Sequence, residues 1–165
     1  MTTSQFQLPS PLDPTSLIDS AHYAVNNAHP GGPSREAVHR AISTAYYGVF
    51  HAISAINADV QHGVPTNAAT AQAWTNTYRR MRHNYATRSL GQHLFSLTQD
   101  ARSLANYFTG LKTARETADY DLNRALTSGD DNYWIGVARA ALISLQAMTA
   151  AERRTFRNIA LSGNP

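Results

Sequence analysis

The chain has 165 residues, contains no cysteine and carries a formal net charge of +3 at pH 7. The length suits one domain with a substantial core, and the lack of cysteine excludes disulfides, thiolate chemistry and cysteine-based zinc sites. Charged residues make up 15% of the chain, against roughly 25% in an average domain. A surface poor in charge predicts that part of it is covered in an oligomer. The mild positive charge is compatible with an anionic partner such as RNA.

The N-terminal residues lack the basic and apolar segments of a signal peptide, and no stretch reaches the roughly 18 apolar residues of a membrane span. We therefore expect a cytoplasmic protein that does not associate with a membrane. Residues 1–14 are polar and contain three prolines, which predicts a flexible lead-in. Residues 15–157 are expected to form a single helical domain, and residues 158–165 a frayed C-terminus.

Apolar residues at spacings of three and four predict helices along the whole domain. The approximate bounds of the five predicted helices are 15–27, 35–58, 67–91, 92–116 and 130–157. The segment His29–Pro33 separates the first two, and Ser34 is a good N-cap for the second. Gly91 marks a break or bend before the fourth helix. With no β-alternation in the sequence, we predict an all-α, up-and-down bundle of about five helices.

The second predicted helix has two different faces. Its apolar stripe consists of Val38, Ile42, Ala45, Val49, Ile53 and Ile56. A polar stripe at the same spacings consists of Arg40, Thr44, Tyr47 and His51. Buried polar groups need partners, because an unpaired one costs roughly 1–3 kcal/mol. We therefore predict that this helix is central and that its polar stripe meets another polar element or a ligand.

Two motifs in this order resemble the HEPN family, the higher eukaryotes and prokaryotes nucleotide-binding domain. Residues 45–51 read Ala-Tyr-Tyr-x-x-Phe-His, and the fourth predicted helix ends in Arg-x-x-Ala-Asp-Tyr at residues 115–120. The resemblance covers about residues 15–155 and implies a HEPN-like bundle. Its polar signature residues are Arg40, Tyr46, Tyr47, His51, Arg115, Asp119 and Tyr120. The alternative is that these residues are packing and hydrogen-bonding groups, with Arg115 paired to Asp119 at i, i+4.

The resemblance also implies a catalytic pair, Arg88 and His93. Many HEPN proteins that cleave RNA carry an arginine, four to six residues, and then a histidine, often across a homodimer. A histidine can move a proton to or from the reacting oxygens, and an arginine can hold the phosphate. The implied activity is a metal-independent endoribonuclease without a cofactor. Phe95 stands where some toxin members have a tyrosine, and a solvated helix end is the alternative interpretation of the pair.

A basic segment with interleaved tyrosines precedes this pair. Its candidate RNA- or nucleotide-binding residues are Arg79, Arg80, Arg82, His83 and Tyr85. Arginine binds phosphate through two parallel hydrogen bonds, and tyrosine can stack on unpaired bases. The alternative is a solvated basic face whose tyrosines belong to the core. If the Arg88–His93 site is real, this patch leads into it.

Other functions receive less support from the sequence. Glu36 and His39 form the Glu-x-x-His pattern of di-iron bundles, but such a site needs two copies and two further glutamates, and the chain has three glutamates. We therefore predict no metal site. The resemblance implies a toxin–antitoxin or defence context with a nucleotidyltransferase-type antitoxin partner. The alternatives are a catalytically silent module that binds a protein or nucleotide, and a purely structural dimerising bundle.

Overall fold

The computed structural model describes residues 13–27, 32–121 and 127–162, which form helices and connecting turns without a strand. The predicted all-α class is therefore confirmed for this part of the chain. Its helices are α1 (Pro14–Asn26), α2 (Arg35–His62), α3 (Ala68–Arg80), α4 (His83–Gln92), α5 (Gln99–Tyr120), α6 (Ser128–Ala147) and α7 (Ala150–Ser162), with a 3-10 turn at Leu94–Ser96.

Helix α2 is the central element of this bundle. It packs against α1, α3, α5, α6 and α7, while α4 packs against α7 and α5. Five members of its predicted apolar stripe are fully buried and Ile56 is half-buried. The largest buried side chains of the core come from several helices: Ile18, Tyr46, Ile53, Leu90, Leu104, Phe108, Ile135 and Phe156.

The predicted third helix is divided into α3 and α4. Met81 and Arg82 have extended backbone conformations, although neither glycine nor proline lies at this position. The Met81 side chain is 4% exposed, and its sulfur accepts a hydrogen bond from the buried amide of Asn57 at 3.5 Å. Insertion of Met81 into the core beside α2 accounts for a break that the local sequence does not signal.

The predicted last helix is likewise divided into α6 and α7. Met148 is extended and buried at the break. Thr149 and Glu152 form the hydrogen bonds of a capping box: the Thr149 N–H donates to Glu152 Oε2 at 2.7 Å, and the Glu152 N–H donates to Thr149 Oγ1 at 3.3 Å. The described residues therefore form seven α-helices rather than about five.

The boundary expected at Gly91 lies slightly further along the chain. Helix α4 continues through Gly91 to Gln92, and α5 begins at Gln99 instead of Gln92. The intervening 3-10 turn is held by Arg102, which donates to the carbonyl oxygens of Leu94 and Leu97, both at 3.0 Å. An arginine from the following helix thus fixes the turn directly after His93.

The ends of the domain also differ from the sequence-based bounds. Pro14 already begins α1, and α7 continues to Ser162, beyond the position where fraying was expected. Residues 1–12 and 163–165 of the two predicted flexible ends lie outside the described residues. The predicted cap is confirmed, because the Ser34 hydroxyl accepts a hydrogen bond from the Ala37 N–H at 3.2 Å. Among the described residues, no helix combines the length and apolarity that a membrane span requires.

Candidate functional site

The centre of α2 meets the first turn of α4 through a tyrosine and a histidine. The Tyr46 hydroxyl is hydrogen-bonded to Nδ1 of His83. Tyr46 is fully buried and stacks on Phe108 of α5, with ring centroids 5.7 Å apart. The His83 ring stacks on Phe50 at 4.1 Å. These contacts fix the plane of the imidazole at the break between α3 and α4.

Burial determines the protonation of this pair. It raises the pKa of the Tyr46 phenol, so this group keeps its proton at neutral pH. Burial also lowers the pKa of His83, and the positive charges of Arg115 and Lys112 lower it further. Among the described residues Nδ1 of His83 is the one acceptor within reach of the buried Tyr46 hydroxyl, so the Tyr46 O–H donates to Nδ1 and the proton of the neutral His83 resides on Nε2. The ring therefore has a remaining N–H donor.

A second tyrosine–histidine pair joins α2 to α3. The Tyr78 hydroxyl and Nδ1 of His51 are 2.6 Å apart, and their rings are stacked. Trp74 stacks on Tyr78, with ring centroids 5.1 Å apart, and the indole N–H of Trp74 donates to the Asp59 carboxylate at 2.7 Å. Burial lowers the pKa of His51 as well. His51 and His83 are therefore both predominantly uncharged at neutral pH.

Arg115 connects the end of α5 to the polar stripe of α2. Its Nε forms an ion pair with Asp119 at 2.6 Å, and the same carboxylate accepts a hydrogen bond from Ser43 at 2.7 Å. The guanidinium lies 5.8 Å from the ring centroid of Tyr47 and 5.5 Å from that of Tyr120, which are cation–π distances. These contacts hold the end of α5 against α2.

The predicted signature residues are thus largely brought together, and they contact one another or neighbouring side chains of the bundle. Within the described residues, Arg40 makes none of these contacts and its side chain is exposed. Most of this cluster is therefore engaged in holding helices together. Polar side chains that lack such partners are the better candidates for a chemical role.

Two pockets lie at opposite ends of α4. The first, called here the His83 pocket, has a volume of about 490 Å³ and is lined by Arg79, Met81, Arg82, His83, Asn84 and Tyr85. Four of the five predicted nucleotide-binding residues line it, whereas Arg80 does not. The pocket spans the break at Met81, since its lining residues come from the end of α3, the break itself and the first residues of α4.

The second, called here the His93 pocket, has a volume of about 290 Å³. It is lined by Tyr85, Arg88, Ser89, Gln92, His93 and Ser162. Both predicted catalytic residues therefore lie at one pocket. The Ser89 and Ser162 hydroxyls are 2.7 Å apart, so the end of α7 borders this pocket, which the sequence did not indicate.

A backbone contact fixes the tautomer of His93. Its Nδ1 lies 2.9 Å from the carbonyl oxygen of Ser89, and a carbonyl can only accept a hydrogen bond. The Nδ1 of a neutral His93 is therefore protonated, and Nε2 has a lone pair. The side chain is exposed at the C-cap of α4. This is the arrangement that a general base requires.

Arginines without partners are concentrated around α4. In the described part of the chain, the exposed side chains of Arg79, Arg82 and Arg88 form neither an ion pair nor a hydrogen bond. Several other arginines have structural contacts: Arg102 and Arg153 cap helix ends, Arg115 and Arg139 form ion pairs, and Arg157 contacts Gln61. Arg40 and Arg154 are likewise exposed without partners among the described residues, but Arg79, Arg82 and Arg88 line the two pockets, which share Tyr85.

The other sequence-based candidates lie apart from these pockets. Glu36 is exposed in the first turn of α2, and His39 contacts Arg35 on the same helix. Among the residues that the structure describes, no three histidine or acidic side chains lie close enough together to hold a metal ion. Comparison of the chain with protein-family models, curated proteins and solved structures found no match.

Proposed function

We propose that the chain is a HEPN-like, metal-independent endoribonuclease that acts as a cytoplasmic homodimer, with Arg88 and His93 as its catalytic residues. The observation that carries the proposal is that an unpartnered arginine and a histidine with a fixed tautomer line the same pocket. RNA supplies both the phosphate and the nucleophile for such a reaction, so these two groups are sufficient to promote it.

The chemical step follows from the protonation of His93. Its Nε2 accepts the proton of a ribose 2′-hydroxyl, whose oxygen attacks the adjacent phosphorus. The bond from phosphorus to the 5′-oxygen breaks, and the leaving oxygen takes a proton from water. The hydroxide that remains is neutralised by protonated His93. The products are a 2′,3′-cyclic phosphate and a 5′-hydroxyl, and Arg88 stabilises the charge on the phosphate oxygens during the attack.

The His83 pocket provides the adjoining binding surface in this proposal. Its arginines, Arg79 and Arg82, are exposed and have no partner in the described part of the chain, and Tyr85 continues the surface into the His93 pocket. Tyr85 is 41% exposed, which leaves part of its ring available for stacking on a base. Arg80, which follows Arg79 at the end of α3, contributes positive charge outside the pocket.

A nucleotidyltransferase-type antitoxin is the partner that the family resemblance favours.

The test is cleavage of a labelled single-stranded RNA by the purified protein in the presence of EDTA. His93→Ala and Arg88→Gln should each reduce the rate by about 100-fold or more, because a general base and a donor that stabilises transition-state charge each typically contribute factors of this size. Arg154→Gln is the matched control, since Arg154 is exposed on α7 and lacks a partner within the described residues. Unchanged cleavage by His93→Ala would remove His93 from the mechanism, and loss of activity in EDTA would overturn metal independence.

A specific observation favours a second candidate, a catalytically silent interaction module. Phe95 is 95% exposed on the 3-10 turn, two residues beyond His93, and a fully exposed phenylalanine suits a contact with a protein partner. This candidate predicts RNA or partner binding without cleavage by the wild-type protein. Phe95→Ser should then weaken the complex with the protein partner and leave RNA binding unchanged.

A further inference from the structure

The His83 pocket differs from the His93 pocket in its charge and in its hydrogen-bond donors. It contains two arginines without partners among the described residues, Arg79 and Arg82, whereas the His93 pocket contains one. None of the six residues that line the His83 pocket is acidic. The pocket therefore presents two positive charges with no carboxylate to offset them.

His83 adds a donor that does not depend on protonation of the ring. The Tyr46 hydroxyl occupies Nδ1, and Nε2 is the remaining polar atom of the imidazole. Because the ring stacks on Phe50, the orientation of this N–H is fixed before a ligand arrives. Asn84 and Tyr85 add further polar groups to the same pocket. This donor set suits an anion with several acceptor oxygens.

The two pockets share Tyr85, but their histidines are too far apart to act on the same phosphate. His83 is the first residue of α4 and His93 is its C-cap, so their backbones are separated by roughly 15 Å at about 1.5 Å of rise per residue. General acid–base groups must lie within hydrogen-bond reach of the reacting atoms. A group bound in the His83 pocket therefore belongs to a different part of the RNA strand than the bond that is cleaved.

We propose that the His83 pocket binds a terminal phosphomonoester of an RNA strand whose internal phosphodiester occupies the His93 pocket. This inference rests on the proposed ribonuclease function and names the class of strand that is preferred. A phosphomonoester carries a charge of about −1.5 to −2 at pH 7, whereas an internal phosphodiester carries a single negative charge. Two guanidinium groups match the monoester, and its three terminal oxygens can accept from both arginines and from His83.

The experiment measures binding with the His93→Ala protein, so that no strand is cleaved. Unlabelled single-stranded RNAs of one sequence compete with a labelled reporter RNA, and they carry a 5′-phosphate, a 3′-phosphate or hydroxyls at both ends. We expect one phosphorylated strand to compete about fivefold or more better than the hydroxyl strand, since two charge-assisted contacts are gained. The end that gives the preference identifies the polarity of the bound strand.

Charge variants identify the pocket responsible. Arg79→Gln combined with Arg82→Gln should abolish the preference for a terminal phosphate, whereas Arg154→Gln should retain it. Equal competition by all three strands, or a preference that persists in the double variant, would overturn the inference. The proposed function is tested separately by cleavage with the wild-type protein. Cleavage without a terminal-phosphate preference refutes the inference alone, and a preference without cleavage refutes the ribonuclease proposal alone.

Discussion

The Tyr46 hydroxyl donates a hydrogen bond to Nδ1 of His83 and so joins the fully buried centre of α2 to the first turn of α4. Tyr46→Phe should lower the free energy of unfolding by about 1–2 kcal/mol, because the His83 nitrogen is left without its donor in a partly buried site. Urea denaturation measures this loss. Tyr78→Phe is the matched control on the second pair, where both side chains are half-buried, and it should cost less. An equal cost for the two variants would contradict the special role of the Tyr46 pair.

Stability should decline in mild acid because of His51 and His83. Burial holds the pKa of each below its ordinary value of 6.5, and Arg115 and Lys112 add to the effect at His83. The unfolded chain therefore binds more protons than the folded chain as the pH falls from 6.5 toward the folded-state pKa values, so stability is lost over that window. Well above pH 6.5, where these histidines are unprotonated in both the folded and the unfolded chain, they contribute no slope.

The measurement is the free energy of unfolding as a function of pH, combined with NMR titration of the imidazole signals. The double variant His51→Asn with His83→Asn should show a shallower decline below pH 6.5 than the wild-type protein. A decline of equal steepness in both proteins would show that other groups produce it.

Glycine is required at position 48 because α1 crosses α2 there. A Cβ atom on Gly48 would lie 2.9 Å from Cγ1 of Ile18 and 3.1 Å from the carbonyl oxygen of Pro14. Gly48→Ala should therefore destabilise the protein by about 1–2 kcal/mol, since overpacking of a core contact outweighs the gain in helix propensity. Gly136→Ala is the control.

Gly136 also lies within a helix, α6, but a Cβ atom there would meet nothing within 4 Å. The same substitution should stabilise the protein by about 0.5–1 kcal/mol through helix propensity alone. Thermal unfolding of the two variants should thus shift in opposite directions. Shifts of the same sign would show that the approach of α1 to α2 is looser than these distances indicate.

Asp131 is a fully buried carboxylate in the first turn of α6, and its Oδ2 has no hydrogen-bond partner among the described residues. Burial raises its pKa above the ordinary value of 3.8. Its Oδ1 accepts a hydrogen bond from the Asn132 N–H at 2.6 Å, so only half of the carboxylate is satisfied. Asp131→Asn should stabilise the protein by about 1 kcal/mol at pH 7, because a buried, incompletely hydrogen-bonded charge is removed. The folded chain binds the extra proton of Asp131 as the pH falls, so the advantage of the variant should shrink in acid.

The neighbouring acid provides the control for this prediction. Asp130 accepts hydrogen bonds from the N–H and hydroxyl of Thr127, at 2.8 and 3.0 Å, in the capping box of α6. Asp130→Asn should therefore destabilise the protein by about 0.5–2 kcal/mol. Chemical denaturation at pH 7 compares the two variants, and a stabilising effect of both would indicate a general benefit of reduced negative charge.

The sequence predicted much of the helical structure and the Ser34 cap of α2, because apolar periodicity and N-cap chemistry act within a few residues. One local signal was overlooked: Thr149-Ala-Ala-Glu152 has the pattern of a capping box and marks the start of α7. The break at Met81 had no such signal. It depends on a contact with Asn57, which lies in another helix.

The candidate site was predicted unevenly for the same reason. The spacing of Arg88 and His93 can be read from the sequence, but the position of Ser162 at the edge of their pocket depends on how α7 packs against α4. The fixed tautomer of His93 likewise depends on the geometry of the last turn of α4. The sequence suggested the chemical groups, and their protonation and accessibility required the packed structure.

The sequence by itself determined the all-α class, the apolar stripes and the concentration of arginines before His93, since each is a property of neighbouring residues. Only the tertiary structure decided which polar groups are engaged. Tyr46 and His83 are 37 positions apart, and Arg115 and Tyr47 are 68 positions apart. Because of such pairing, most of the signature residues are not free to bind a ligand. The two pockets of α4 therefore remain as the candidate sites. The physical reason is that burial requires polar groups to find partners, and those partners come from distant segments.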